Sequence, residues 1–485
     1  MKQLAFLYIS VFLLIISQIM PVCAQEQNEL KFRKNHSFKI AQFTDLHWNN
    51  TSDNCIKTIE NMETVLKAEN PDLVVLTGDI VTSDPAKEGW LAIAKIFIDA
   101  KIPWAVTLGN HDAEPDINRK EIFKILQDLP YFVGTEGNVH GAGNYALPVE
   151  TSNGDKTAAV IYCFDSNDYA SNPKISDYDW IRFDQIEWYR NESDKFTAEN
   201  NQLPLPSLAF FHIPLPEFRE IVGASTTLGD QFDEGVSSSD INSGIFASMV
   251  DKNDVIGVFV GHDHDNNYVG IHHGIGLGYG QKTGYEAYGQ LEPGARIIVM
   301  QEGYFSYDTW IRTENGVKYK YYFPSGLSDA DENIKFLPSK KVTKAQSGIK
   351  YKYFEGDFDS TDDLSTQPIK KTGLIPNISL SEADLTDYFG FEFNTLIKIP
   401  NKGLYQFYTN SDDGSKLLID GITVVDNNGS HSAKYEKGVI ALDEGYHEFK
   451  LLYFESYMGD NLEVGFSSRK IRECIIPDSF FFIEE

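Results

Sequence analysis

A layered α/β domain followed by an all-β antiparallel sandwich is the fold the sequence predicts, and three observations carry that expectation. From Phe38 onward, short apolar runs rich in β-branched and aromatic residues alternate with stretches of helical spacing. From about Gly348 that alternation gives way to short period-2 strands separated by Gly, Asn and Asp turns. The chain's 485 residues also exceed what one hydrophobic core usually supports, so two domains are expected.

Taken in order, Phe38–Asp45 reads as a strand, and 54–70 carries helical spacing through Ile56, Ile59, Met62, Val65 and Leu66. Pro71 opens a strand that runs to Asp79. Glu88–Ala100 is helical, Ile102–Asn110 a strand, Ile117–Leu129 a helix, Lys156–Ser166 a strand and Phe183–Ser193 a helix. Ser207–Pro214 and Asp254–His262 are two further strands. Beyond them, 297–303 and 305–323 are β-rich, with a hairpin turn at Asn315-Gly316. The segment 323–347 has no sustained period and reads as a linker. In 348–485, strands are expected over 392–400, 403–411, 415–421, 422–427, 437–445, 447–456 and 461–468.

The N-terminus reads as a signal peptide over 1–24: Lys2, an apolar run from Leu4 to Ile16, and small residues before Gln25. That run is short for a membrane span, so export to the periplasm or the medium is expected, with no transmembrane segment in the mature protein. Cys23 raises lipidation as an alternative, but Met20-Pro21-Val22 lacks the small residue usual before a lipidated cysteine. The remaining cysteines, Cys55, Cys163 and Cys474, form no disulfide framework, and Cys163 is expected as a buried, inert thiol. A formal charge of −29 argues against a general nucleic-acid binder. It leaves room for a small phosphorylated substrate, because bound cations reverse the local field.

Chemistry-bearing residues sit where the predicted strands end: Asp45-x-His47, Asp79, Asn110-His111-Asp112, His212 and His262-x-His264. In an α/β sheet the carboxyl ends of neighbouring strands share one rim, and ligands bind there. Carboxylate, amide and imidazole donors suit divalent Mn, Fe or Zn, and a pair of such ions can clamp a phosphate and generate hydroxide near neutral pH. Each residue alone has a plainer reading, such as a turn aspartate at Asp79 or an Asx-turn at Asn110. Five ordered blocks make coincidence a poor account.

These blocks resemble the calcineurin-like metallophosphoesterases, over roughly Phe38–Tyr322, with the glycine-rich stretch after His264 similar to a purple-acid-phosphatase-like subgroup. The resemblance implies an αββα sandwich over 32–322 and specific roles. Asp45, His47 and His264 would hold one metal, Asn110, His212 and His262 the other, and Asp79 would bridge them. His111 would contact phosphate and protonate the leaving oxygen, while Asp112 would orient His111 or cap the next turn. Thr82 stands where purple acid phosphatases have a tyrosine ligand, so a colourless metal pair is expected. The walls of the pocket are expected from Glu217–Asp240 and Gly274–Gly289, and His272 and His273 fall outside the motifs.

The second domain, through Ser411-Asp412-Asp413-Gly414-Ser415 and Ile419-Asp420-Gly421, resembles the anthrax protective-antigen-type β-sandwich. In lectin-like relatives paired aspartates hold a calcium that bridges to sugar, so Asp412 and Asp413 would bind calcium and glycan; the plain alternative is a tight turn. Tyr405, Phe407, Tyr408, Tyr446, Phe449, Tyr453 and Phe454 are expected as core. The leading expectation is a secreted phosphomonoesterase with an appended carbohydrate-binding module. A phosphodiesterase for nucleotides or phospholipid head groups is the alternative enzyme. A non-catalytic, glycan-binding adhesin is the alternative from another class.

Overall fold

The computed structural model describes residues 29–224, 227–232, 234–328, 335–469 and 471–484. The expected signal peptide, with Cys23, lies outside the described residues. The chain divides into two compact units between Tyr321 and Tyr322.

In the first unit the elements begin β1 (Ser37–Phe43), α1 (Asn54–Glu69), β2 (Leu73–Thr77), α2 (Ala86–Ala100), β3 (Trp104–Thr107), α3 (Arg119–Leu126), β4 (Tyr145–Glu150) and β5 (Thr157–Cys163). They continue α4 (Phe183–Glu199), β6 (Ser207–Phe210), α5 (Ile245–Lys252), β7 (Val255–Val260), β8 (Val269–His272), β9 (Ile275–Tyr279), β10 (Gly294–Gln301), β11 (Tyr307–Thr313) and β12 (Gly316–Phe323). One sheet contains the neighbours β12-β11-β10-β1-β2-β3, with β1, β2 and β3 parallel. The other runs β4-β5-β6-β7-β9-β8, with β5, β6, β7 and β9 parallel.

The sheets face each other, which is why their central strands are near-continuous apolar runs. Every residue of β2 and β7 is buried. Along β7 the side chains alternate: Phe259 packs edge-on against Tyr307 of β11, while Val258 and Val260 join the cluster built by Tyr189 and Phe196 of α4 and Phe246 and Met249 of α5. Gln42 of β1 ties the layers, its amide donating to Thr77 Oγ1 at 2.9 Å and to the Val260 carbonyl at 3.0 Å. Two layers of sheet between helices are therefore present, and the α/β expectation holds.

Local differences have physical causes. Helix α1 buries Cys55, Thr58, Met62, Val65 and Leu66 and leaves Ile56 exposed. Its buried face is partly polar because Cys55 Sγ bonds the Asn49 backbone and Thr58 Oγ1 accepts the Tyr285 N–H. Strand β9 escaped the sequence reading because glycines interrupt its apolar pattern. A Cβ on Gly278 would come within 3.1 Å of the Phe259 ring, so a larger residue would have to push that ring aside by a few tenths of an ångström.

The second unit is all β. One sheet orders Ala345–Ser347, Phe481–Glu484, Phe389–Ile399, Gly445–Glu455, Ser415–Ile419 and Ile422–Asn427, with Ile349–Glu355 and Lys371–Ile375 attached. The other orders Lys434–Leu442, Gly403–Asp412, Asn461–Ser468 and Ile471–Ile475. Tyr405, Phe407, Tyr408, Phe449, Tyr453 and Phe454 are buried, whereas Tyr446 is half-buried. The segment expected as a linker is sewn onto this unit from Leu337. Its N–H donates to Ala441 O at 3.0 Å, and the Lys340 N–H to Tyr446 O at 2.7 Å.

Candidate dinuclear metal centre

All five motif blocks leave the carboxyl ends of parallel strands: Asp45 follows β1, Asp79 β2, Asn110 β3, His212 β6 and His262 β7. The backbone there is unusual. Asp45 (φ 53°), His47 (φ 46°), Asp79 (φ 52°) and His262 (φ 80°) all occupy the left-handed region, which costs a non-glycine residue about 1–3 kcal/mol. Hydrogen bonds between the turns hold them there: Asp45 N–H to Gly78 O at 3.0 Å, His47 N–H to Asp79 O at 2.9 Å and Gly261 N–H to His212 O at 3.0 Å. Gly78 and Gly109 are required by proximity, since a Cβ on either would fall within 2.5 Å of His212 Nδ1 or Asp79 Oδ1.

The donors converge as two groups that share Asp79. Asp45, His47, Asp79 and His264 each offer an atom within 4.8 Å of the others, and so do Asp79, His212 and His262. His264 Nε2 lies 3.3 Å from Asp45 Oδ1 and 3.1 Å from His47 Nε2. Asp79 Oδ2 lies 3.7 Å from His47 Nε2 and 3.2 Å from His212 Nε2, which is 3.2 Å from His262 Nδ1. Separations of this size are edges that metal–ligand bonds of about 2.1 Å span. Asn110, next to His111 in chain order, has a buried Oδ1 without a hydrogen-bond partner, a free carbonyl oxygen of the kind a divalent ion takes. The residues fit a pair of divalent ions.

The charge states suit the same purpose when no cation is bound. Burial raises Asp45 and Asp79, but the neighbouring His264 and His212 override it and hold both carboxyls below the usual range. Burial depresses His47 to about 4 despite Asp79, and burial with the adjacent His212 depresses His262 to about 3. Burial opposes protonation of His212 too, yet Asp79 lifts it to about 9. The His212 Nδ1–H donates to Thr77 O at 2.7 Å, which orients the ring.

His111 sits at the rim, about a third exposed, with its backbone N–H donating to Asp79 Oδ1 at 2.9 Å. Its Nδ1 pairs with Glu114 Oε2 at 2.7 Å. Asp112 neither orients His111 nor caps the following turn. Its buried carboxylate accepts four backbone N–H groups: Asp79 at 3.0 Å, Gly109 at 2.8 Å, Ile80 at 2.8 Å and Val81 at 3.1 Å. It clamps the turn after β2 to the turn after β3, so its catalytic assignment is corrected to a positioning one. The local contact on His111 comes from Glu114, which the motif reading missed.

Thr82 is half-buried, and its N–H donates to Trp48 O at 3.1 Å. The tyrosines of the centre arrive from loops instead. Tyr169 OH accepts from Asn110 Nδ2 at 3.1 Å, Tyr178 packs edge-on against His262, and Tyr288 stacks on His264. His272 and His273 lie at the β8 turn beside Phe246, apart from the two donor groups.

In the second unit, Asp412 and Asp413 meet a third carboxylate, Glu455, within 4.8 Å. Asp413 accepts the N–H of His431 at 2.8 Å and of Ser456 at 2.9 Å, and Asp412 that of Ala433 at 3.1 Å. Glu455 Oε1 is buried without a partner, and burial with the Asp413 charge pushes this carboxyl up to about 7. Three converging carboxylates with an orphaned oxygen fit a calcium ion.

The family model described as calcineurin-like phosphoesterase matches residues 38–266, and the PA14 domain model matches 345–479. The chain is 36% identical over 334 residues to "Probable inactive purple acid phosphatase 29" of Arabidopsis thaliana, covering 61% of this chain and 85% of that protein. It is 35% identical over 266 residues to "Phosphatase DCR2" of Saccharomyces cerevisiae, covering 48% of this chain and 44% of that one. A solved dimetal phosphatase from Danio rerio aligns at 10% identity and a TM-score of 0.42, covering 58% of this chain and 98% of its own.

Proposed function

The chain belongs to the calcineurin-like phosphoesterase family, and from that premise we propose that it is a metal-dependent phosphomonoesterase. The observation that carries the reading is the meeting of six of the seven expected donors in two groups that share Asp79, with the Oδ1 of the seventh, Asn110, buried and unpartnered. The plant relative's name calls it inactive; in this chain six expected donors converge.

Asp45, His47 and His264 would hold one ion, Asn110, His212 and His262 the other, and Asp79 both. Bound there, two ions of the Mn, Fe or Zn type supply Lewis acidity to phosphoryl oxygen and acidify water. Asp112 holds the two donor turns in register. His111, fixed at Nδ1 by Glu114, presents its other nitrogen to the leaving oxygen as the general acid. With Thr82 in place of a tyrosine ligand, the loaded protein is colourless.

The PA14 unit takes calcium at Asp412, Asp413 and Glu455 and binds glycans through it, and the protein works after export. A glycan array with and without chelator tests the glycan claim; no calcium-dependent signal would overturn it. The catalytic claim is tested by paired hydrolysis of p-nitrophenyl phosphate and its bis ester after chelation and manganese re-addition. Metal-dependent preference for the monoester is expected. Preference for the diester would replace this reading with the phosphodiesterase one, and turnover of neither would favour the adhesin.

A further inference from the structure

The mouth of the metal centre is built from aromatic rings pinned to the donors themselves. On one side Tyr288 lies nearly flat on His264, ring centroids 3.9 Å apart and planes 27° apart, yet it remains 61% exposed. One ring face is therefore used and the other is open. This tyrosine is not loose: its hydroxyl donates to Glu234 at 2.5 Å, and its carbonyl accepts from Lys282 Nζ at 2.8 Å. On the other side Tyr169, 46% exposed, stacks on Tyr178 at 5.8 Å and 24°, and its hydroxyl accepts from Asn110. Both rings are held before any ligand arrives, which lowers the ordering cost of binding against them.

The charges of this rim are negative. Glu114 accepts from Tyr169 OH at 3.4 Å, and Glu234 stands at the Tyr288 hydroxyl. Cations of the same region are committed elsewhere: Lys282 to the carbonyls of Tyr288 and Gly289, and Arg119 to Asp165 and the Leu108 and Gly109 carbonyls. A substrate carrying negative charge beyond its phosphoryl group would meet carboxylates here, whereas a flat apolar ring would meet open aromatic faces.

We propose that Tyr288 and Tyr169 are specificity-determining walls that select phosphomonoesters of flat, uncharged aromatic groups. The inference rests on the phosphoesterase reading, for it places the phosphoryl group at the metal pair between these rings.

The test uses the full, metal-loaded chain and calorimetric titration with phenylphosphonate, cyclohexylphosphonate and inorganic phosphate. Phenylphosphonate is expected to bind roughly five-fold tighter than its saturated counterpart, the scale of one aromatic pair. Tyr288→Phe should keep that ratio and Tyr288→Leu should lower it toward one, with metal content measured in each variant. If Tyr288→Leu sheds metal, Tyr169→Leu carries the same test. 4-Carboxyphenylphosphonate should bind more weakly than phenylphosphonate; equal or tighter binding would overturn the charge selection. A ratio near one in the unaltered protein, or one that survives loss of both rings, would overturn the proposal while phosphate binding leaves the phosphoesterase reading intact. Failure of inorganic phosphate itself to bind would overturn both.

Discussion

Replacing Arg119 by methionine should loosen the turn that carries Asn110 and His111. The guanidinium is nearly buried and Asp165 wholly so. Arg119 Nε donates to Asp165 Oδ2 at 3.0 Å and Nη2 to Asp165 Oδ1; Nη1 donates to Gly109 O at 2.7 Å and Nη2 to Leu108 O at 3.2 Å. Removing the cation leaves a buried carboxylate unpaired and two carbonyls short of donors, a loss of about 3–5 kcal/mol. Asp165 keeps the N–H groups of Ala142 (2.7 Å) and Asn167 (2.9 Å), so the lower end, about 3 kcal/mol, is expected. At a urea slope of about 3 kcal/mol/M, the midpoint falls by about 1 M. Tryptophan fluorescence isolates the relevant unit, because Trp48, Trp90, Trp104, Trp180, Trp188 and Trp310 all precede Tyr321. Adding Asp165→Asn should recover at least about 1 kcal/mol as coupling. A midpoint shift below about 0.3 M, or strict additivity of the two changes, would refute the reasoning.

Three other outcomes are expected. Glu114→Ala frees His111 Nδ1 and should lower kcat roughly ten-fold, part of the 10²–10⁴ of general acid catalysis, with the larger loss on poor leaving groups; steady-state rates across a leaving-group series check it. Asp112→Asn leaves one acceptor oxygen for four N–H groups and should cost about 2–4 kcal/mol together with metal occupancy, read by denaturation and elemental analysis. In the second unit, burial pulls His447 down, but Asp420 at 2.6 Å and the Asp443 carbonyl at 2.9 Å outweigh it and raise its pKa above 6.5. The proton is held more tightly in the folded state, so this stabilisation is full below about pH 6.5 and is lost as pH rises through the higher folded value. Calorimetry of His447→Gln should show that dependence flattened.

What was legible in the sequence was whatever depends on strand ends. Buried parallel strands must be apolar throughout, so Asp45, Asp79, Asn110, His212 and His262 stand out as polar groups at their exits. Asp112 lay inside a motif, but its role did not, because four backbone donors from two turns leave no trace in spacing. Glu114, Tyr169 and Tyr288 reach the centre from loops, where no period marks them. The stretches flagged as pocket walls do contain Glu234 and Tyr288, although Ile275–Tyr279 of the second is strand β9 rather than loop. Likewise, the third carboxylate beside Asp412 and Asp413 comes from Glu455, on a different strand, and only the folded register brings it there.

The most direct test of the central claim is reconstitution of chelated protein with manganese, following p-nitrophenyl phosphate hydrolysis against metal equivalents bound per chain. Hydrolysis should be absent at zero and reach its plateau at two equivalents, and Asp79→Asn should abolish the rise. Full activity in the chelated protein, or two ions bound with no turnover of any phosphomonoester, would contradict a dinuclear phosphomonoesterase.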